Sequence, residues 1–153
     1  MRRLFGIALA GALMMLPAFS HGTAFAQQAP QKTTFTGDMV LWAFNINADK
    51  AADFEAVLGK VKEALSKSER PEAKQQLAGW RVMKNAMAQP DGSLLYLLVI
   101  SPVVKDADYS LMNNLYEVFK DPKEQVALYE QYRGAVKQVL FIIQGPIAAD
   151  FSK

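Results

Sequence analysis

The segment Leu94-Leu95-Tyr96-Leu97-Leu98-Val99-Ile100 is apolar or aromatic at every position, and Val139-Leu140-Phe141-Ile142-Ile143 repeats the property near the C-terminus. Short apolar runs bounded by turn residues read as strands. Successive side chains of a strand point to opposite faces. Leu94, Tyr96, Leu98 and Ile100 therefore line one side of the first segment, and Leu95, Leu97 and Val99 the other. In the second, Val139, Phe141 and Ile143 oppose Leu140 and Ile142. A sheet made of such strands needs cover on both faces, and that need governs what the chain can become.

The other elements follow from periodicity and punctuation. Residues 38–46 (DMVLWAFNI) form a first strand, with Val40, Trp42, Phe44 and Ile46 on one side and Met39, Leu41, Ala43 and Asn45 on the other. A helix over residues 48–66 follows, with Asn47 as N-cap and Asp49 near its positive end. Phe54, Val57, Leu58, Val61 and Leu65 recur at helical spacing, leaving Glu55, Lys60, Lys62 and Glu63 outside. Pro71 opens a short helical turn reaching Leu77, and Gly79 releases the chain into a second strand, 80–88. Gln89-Pro90-Asp91-Gly92-Ser93 is a hairpin turn, the third strand runs over 94–101, and Pro102 ends it. Asp106 or Asp108 caps a helix over 109–119. Asp121-Pro122-Lys123-Glu124 starts another that reaches about Gln138. The last strand is 139–144, and Pro146 puts its end at an edge or in a tail.

The order β-α-β-β-α-β is that of a ferredoxin-like α+β fold, an antiparallel sheet with helices on one face. One helix layer covers one side only. Leaving the second side wet forfeits roughly 10 kcal/mol, at about 1.5–3 kcal/mol per large apolar side chain. A second copy packed by a two-fold axis removes the difficulty. The expected partner is therefore the chain itself, as a homodimer joined sheet to sheet.

The N-terminus reads as an address. Arg2 and Arg3 precede an apolar stretch from Leu4 to about Leu16, Pro17 breaks it, and Ala24-Phe25-Ala26 fits the A-x-A cleavage pattern. Residues 1–26 are thus expected to be a cleavable signal peptide, with no stable membrane anchor after cleavage, because the run is shorter than the about 20 residues of a spanning helix. Arg2-Arg3-Leu4-Phe5 is also a partial twin-arginine pattern. The expected destination is periplasmic or extracellular. Residues 27–36 read as a flexible polar leader and residues 37–153 as a single domain.

Cleavage would remove two of the 17 basic residues, leaving 15 against 15 acidic ones. The formal charge of +2 belongs to the address, and nothing in the remainder suggests a nucleic-acid partner. There is no cysteine, and the one histidine, His21, lies in the signal segment. Disulfides, thiol chemistry, Ser-His-Asp catalysis and the usual zinc or haem ligand sets are excluded from the mature chain. No metal site and no cofactor are expected.

Over about residues 37–148 the chain resembles the dimeric α+β barrel superfamily, in particular its antibiotic-biosynthesis-monooxygenase-like domains. The resemblance rests on MVLWAFNINADKAADFEAVLGKV, on Leu77-Ala78-Gly79-Trp80, on the Asp91-Gly92 hairpin and on the closing helix and strand. It implies a site in the cleft between sheet and helices. The polar or aromatic residues that could reach such a cleft are Trp42, Asn45, Trp80, Arg81, Asn85, Tyr96, Asn113, Tyr116 and Gln144. Some oxygenases of the superfamily use an Asn on the first strand and a Trp elsewhere, which Asn45 and Trp80 match loosely, with Tyr96 as a third catalytic candidate. Each residue also has a plainer role: Trp42 and Trp80 in the core or dimer interface, Asn45 at the strand end, Asn113 on a partly solvated helix face, Arg81 in an ion pair. Two functions are therefore expected to compete. One is binding of a small apolar or aromatic ligand. The other is cofactor-independent oxygenation of a phenol or quinol.

Overall fold

A computed structural model describes residues 31–151. The signal-peptide reading of residues 1–26, and the first part of the leader, lie outside the described residues. The element order is β1 (Met39–Ile46), α1 (Ala51–Lys67, entered through a 3-10 turn at Ala48–Lys50), α2 (Ala73–Gly79), β2 (Trp80–Lys84), β3 (Leu94–Ile100), α3 (Leu111–Val118), α4 (Pro122–Ala135) and β4 (Val136–Gly145). The strands form one antiparallel sheet in the order β2-β3-β1-β4. The protein is thus α+β, with the strand arrangement of a split βαβ unit.

Period-two alternation sorts the sheet's residues. Trp42 pairs with Leu98 and Phe44 with Tyr96, and these side chains are buried with Val40, Ile46 and Ile100. They face Phe54, Val57 and Leu65 of α1 and Leu115 of α3 in one core. On the opposite face stand Leu41 and Asn45 of β1, Leu95, Leu97 and Val99 of β3, Met83 of β2, and Phe141 and Ile143 of β4, as the pairings require. Met83, Phe141 and Ile143 are 52%, 43% and 57% exposed. The helices cover β1 and β3 on one face and leave the other face largely to solvent, as the two-sided strands predict, while the edge strand β4 stays open on the helix side too, with Ile142 45% exposed. No helix among the described residues is long and apolar enough to cross a membrane.

Several local expectations are displaced. β2 stops at Lys84 rather than Ala88, because the Asn85 side chain bends the chain by accepting from the Met87 N–H (3.4 Å) while the Asn85 N–H still donates to Leu95 (2.8 Å). The turn then closes through Gly92 N–H to Gln89 O (2.9 Å), with Gly92 at φ +77°. Helix α4 ends at Ala135 and β4 begins at once with β-branched Val136, so the junction has no loop. Asn47 does not cap α1 with its side chain. Its Nδ2 donates to the Gly134 carbonyl (3.1 Å) and its backbone N–H to the Ala135 carbonyl (2.9 Å), so it closes the far end of α4 instead. Helix α3 is capped by Ser110, whose Oγ accepts from the Asn113 N–H (3.3 Å). Asp108 instead takes the N–H groups of Ser110 and Thr33 (both 2.9 Å). Asp121 caps α4 as its sequence motif predicts, with Pro122 in the first turn.

The stretch 31–36, read from sequence as leader, packs onto the domain. Tyr109 N–H donates to Thr33 O (2.7 Å), Thr36 N–H donates to Gln144 Oε1 (2.9 Å), and Phe35 is 4% exposed against Trp42 and Tyr109. One aromatic side chain with a buried socket outweighs the polar residues around it.

Candidate functional site

Helix α1 crosses antiparallel to the edge strand β2, and the space between them opens into a cleft of about 580 Å³. Helical spacing sends Glu55, Leu58, Gly59, Lys62 and Leu65 down this side of α1, and strand alternation sends Trp80, Val82 and Lys84 toward it from β2. Leu77 of α2 and Tyr96 of β3 complete the wall. Because the two elements run in opposite directions, the cleft has two unlike ends. Trp80, Leu65 and Leu77 form an apolar end. Glu55, Lys84 and Tyr96 form a polar end, about 13 Å away along β2 at the usual rise of about 3.3 Å per residue.

Gly59 shapes the middle. A glycine inside a helix is destabilising by about 0.5–1 kcal/mol relative to alanine. A Cβ here would meet nothing within 4 Å, so packing does not explain the glycine, and the position is open groove.

The polar end is a hydrogen-bonded triad. The Tyr96 hydroxyl donates to Glu55 Oε1 (2.6 Å), and Lys84 Nζ donates to the same oxygen (2.9 Å) while standing 5.5 Å from the centre of the Tyr96 ring. The Tyr96 hydrogen bond, then that of Lys84, holds the Glu55 carboxyl below its ordinary range. Burial, then the Glu55 carboxylate, pushes the Tyr96 phenol up, and Glu55 raises Lys84. A doubly bonded carboxylate and a phenol held protonated are poor general bases near neutral pH. The triad suits fixing a ligand's polar end better than moving protons. Lys62 is exposed, lines the cleft and makes no ion pair among the described residues.

Of the sequence-predicted residues, the structure brings Trp80 and Tyr96 to this cleft. Trp80 packs its ring 5.4 Å from Tyr109, and its Nε1 is buried with no hydrogen-bond partner among the described residues. Asn45 stands on the opposite face of the sheet, between Leu95 and Gln138, its Oδ1 buried and without a partner among the described residues. Trp42 is in the core, 5.0 Å from Phe44 and 6.2 Å from Phe35. Arg81 is exposed on β2 and borders a separate shallow groove with Ser101 and Lys105. Asn113 ties the N-terminal stretch down, donating to Asp108 Oδ2 (2.7 Å) and Gln31 O (3.1 Å). Tyr116 is half-buried on α3, away from the cleft walls, its phenol pushed up mainly by burial. Asn85 belongs to the hairpin and Gln144 to the leader contact.

Sequence reasoning missed Glu55, Gly59, Lys62 and Lys84. A faint signal existed: Glu55, Gly59 and Lys62 share one helix face, where a small residue separates two opposite charges. No three His, Cys, Asp or Glu side chains converge as a metal site among the described residues. Comparison with protein-family models, with curated proteins and with solved structures returns no match for this chain.

Proposed function

We propose that this chain is an exported, non-catalytic binding protein that holds a small apolar or aromatic molecule between α1 and β2. In this reading residues 1–26 are removed on export to the periplasm or exterior. The observation that carries the proposal is the cleft itself: about 580 Å³, walled by Leu58, Val61, Leu65, Leu77, Trp80 and Val82, with a few polar groups gathered at one end. That size and that mixture are usual for ligand sites. The separation of Asn45 from Trp80 and Tyr96 by the thickness of the sheet favours binding over the oxygenase alternative.

The proposal includes a homodimer of the α+β barrel type, the two open sheet faces packed together. Met83, Phe141 and Ile143, each about half exposed, would gain roughly 1 kcal/mol apiece on burial, and Leu41, Leu95, Leu97 and Val99 somewhat less. Two faces then offer roughly 6–10 kcal/mol, of the same order as the about 4–15 kcal/mol cost of association, so the dimer is expected to dissociate on dilution. The ligand cleft lies on the helix side and stays open in such a pair. The test is a thermal-shift screen of aromatic, quinone and lipid-like compounds on the purified protein, with light scattering across a dilution series. No stabilisation by any compound defeats the binding reading. A monomer mass at every concentration defeats the barrel.

A further inference from the structure

We infer that the ligand of the α1–β2 cleft is an anionic amphiphile, its apolar body against Leu58, Leu65, Leu77 and Trp80 and its acidic head at Lys62. The inference rests on the binding reading above and adds the ligand's charge and the residue that answers it. The charged lining residues are Glu55, Lys62 and Lys84, two cations against one anion. Glu55 is already neutralised locally, since one of its oxygens receives both the Tyr96 hydroxyl and the Lys84 ammonium. The uncompensated charge is Lys62, which is exposed. Helical side chains lean toward the helix N-terminus, so this ammonium leans from its place beside the apolar end toward Gly59 and the triad. Around it Leu58, Leu65, Leu77 and Trp80 present no charge. An apolar cleft with one unanswered cation beside it complements a carboxylate or phosphate on an apolar body. A neutral hydrocarbon would leave Lys62 unanswered, and an amine would oppose it.

The test holds the tail constant and varies the head. Purified protein is titrated with decanoate, decanol and decylamine, following indole fluorescence and, separately, the thermal midpoint. Decanoate is expected to bind about two- to fivefold tighter than decanol, the scale of one rim ion pair, with the preference shrinking as salt is added. Lys62→Gln should remove the acid's advantage over the alcohol, and Lys62→Glu should turn the preference toward decylamine. Lys62 is exposed, so these variants keep the fold. Equal binding of acid and alcohol overturns the anionic head, an acid preference indifferent to Lys62 overturns its placement at Lys62, and either result leaves the cleft standing. Failure of all three compounds to bind, while an aromatic or quinone in the screen does bind, overturns the amphiphile alone. Failure of every compound overturns the cleft reading with it.

Discussion

Replacing Gly59 by alanine should stabilise the protein, although alanine there touches nothing new. The position lies in the middle of α1 (Ala51–Lys67). Glycine in a helix interior costs about 0.5–1 kcal/mol relative to alanine, because its unfolded chain has more freedom to lose. The added Cβ meets no atom within 4 Å, so no steric term offsets the gain. The unfolding entropy of a domain of some 120 residues is about 0.25 kcal/mol per kelvin, which turns the gain into a rise in Tm of about 2–4 °C. Thermal unfolding followed by circular dichroism reads it directly, and a urea series should show a higher midpoint with an unchanged slope. Gly79 is the internal control. A Cβ there would sit 2.7 Å from the Pro102 carbonyl oxygen, so Gly79→Ala should cost about 1–3 kcal/mol through overpacking. A fall in Tm for Gly59→Ala would mean that the groove above α1 is filled, and the cleft argument would fail with it. Gly59→Phe extends the logic: it should fill the groove and abolish the thermal shift given by any cleft ligand.

Three further outcomes follow from local geometry. Asn47→Ala should cost about 1 kcal/mol in a denaturant melt, and Asn47→Asp should fail to rescue it, because the Gly134 carbonyl needs a donor; rescue by Asp would restore Asn47 to the role of N-cap. Phe35→Ala should cost about 3 kcal/mol, since that side chain is 4% exposed, and a loss under 1 kcal/mol would return residues 31–36 to a loose leader. The Glu55 carboxyl, held below its ordinary value near 4.5, contributes stability that is present above that value and is lost as pH falls through the lower folded one. Tyr96→Phe removes the largest cause of the shift, so its stability should change less between pH 5 and pH 3 than that of the parent, about the range where a carboxylate titrates; identical pH profiles would count against the Tyr96–Glu55 bond.

What the sequence made legible was whatever depends on neighbours along the chain. The inward set Val40, Trp42, Phe44 and Ile46 is a matter of period two, and its burial depends only on which face the helices choose. Asp121-Pro122 specifies a helix start by local hydrogen bonding, and α4 begins there. Asn47 misled because the same amide is an acceptor toward α1 and a donor toward α4, and only the fold brings the carbonyl of Gly134 to it. The cleft was hidden for a related reason. Glu55 and Lys84 are 29 residues apart, and each alone looks like an ordinary solvated charge. Their meeting is decided by the antiparallel crossing of α1 over the sheet edge. That crossing places Tyr96, from the next strand in, beneath both. A charge that is unremarkable on a helix becomes part of a site when a strand delivers its counterion and a buried phenol supplies the second donor. The same crossing pairs Lys84 with Glu55 at one end of the cleft and leaves Lys62 unanswered beside the apolar wall, so chain direction decides which of the two lysines is left to meet a ligand.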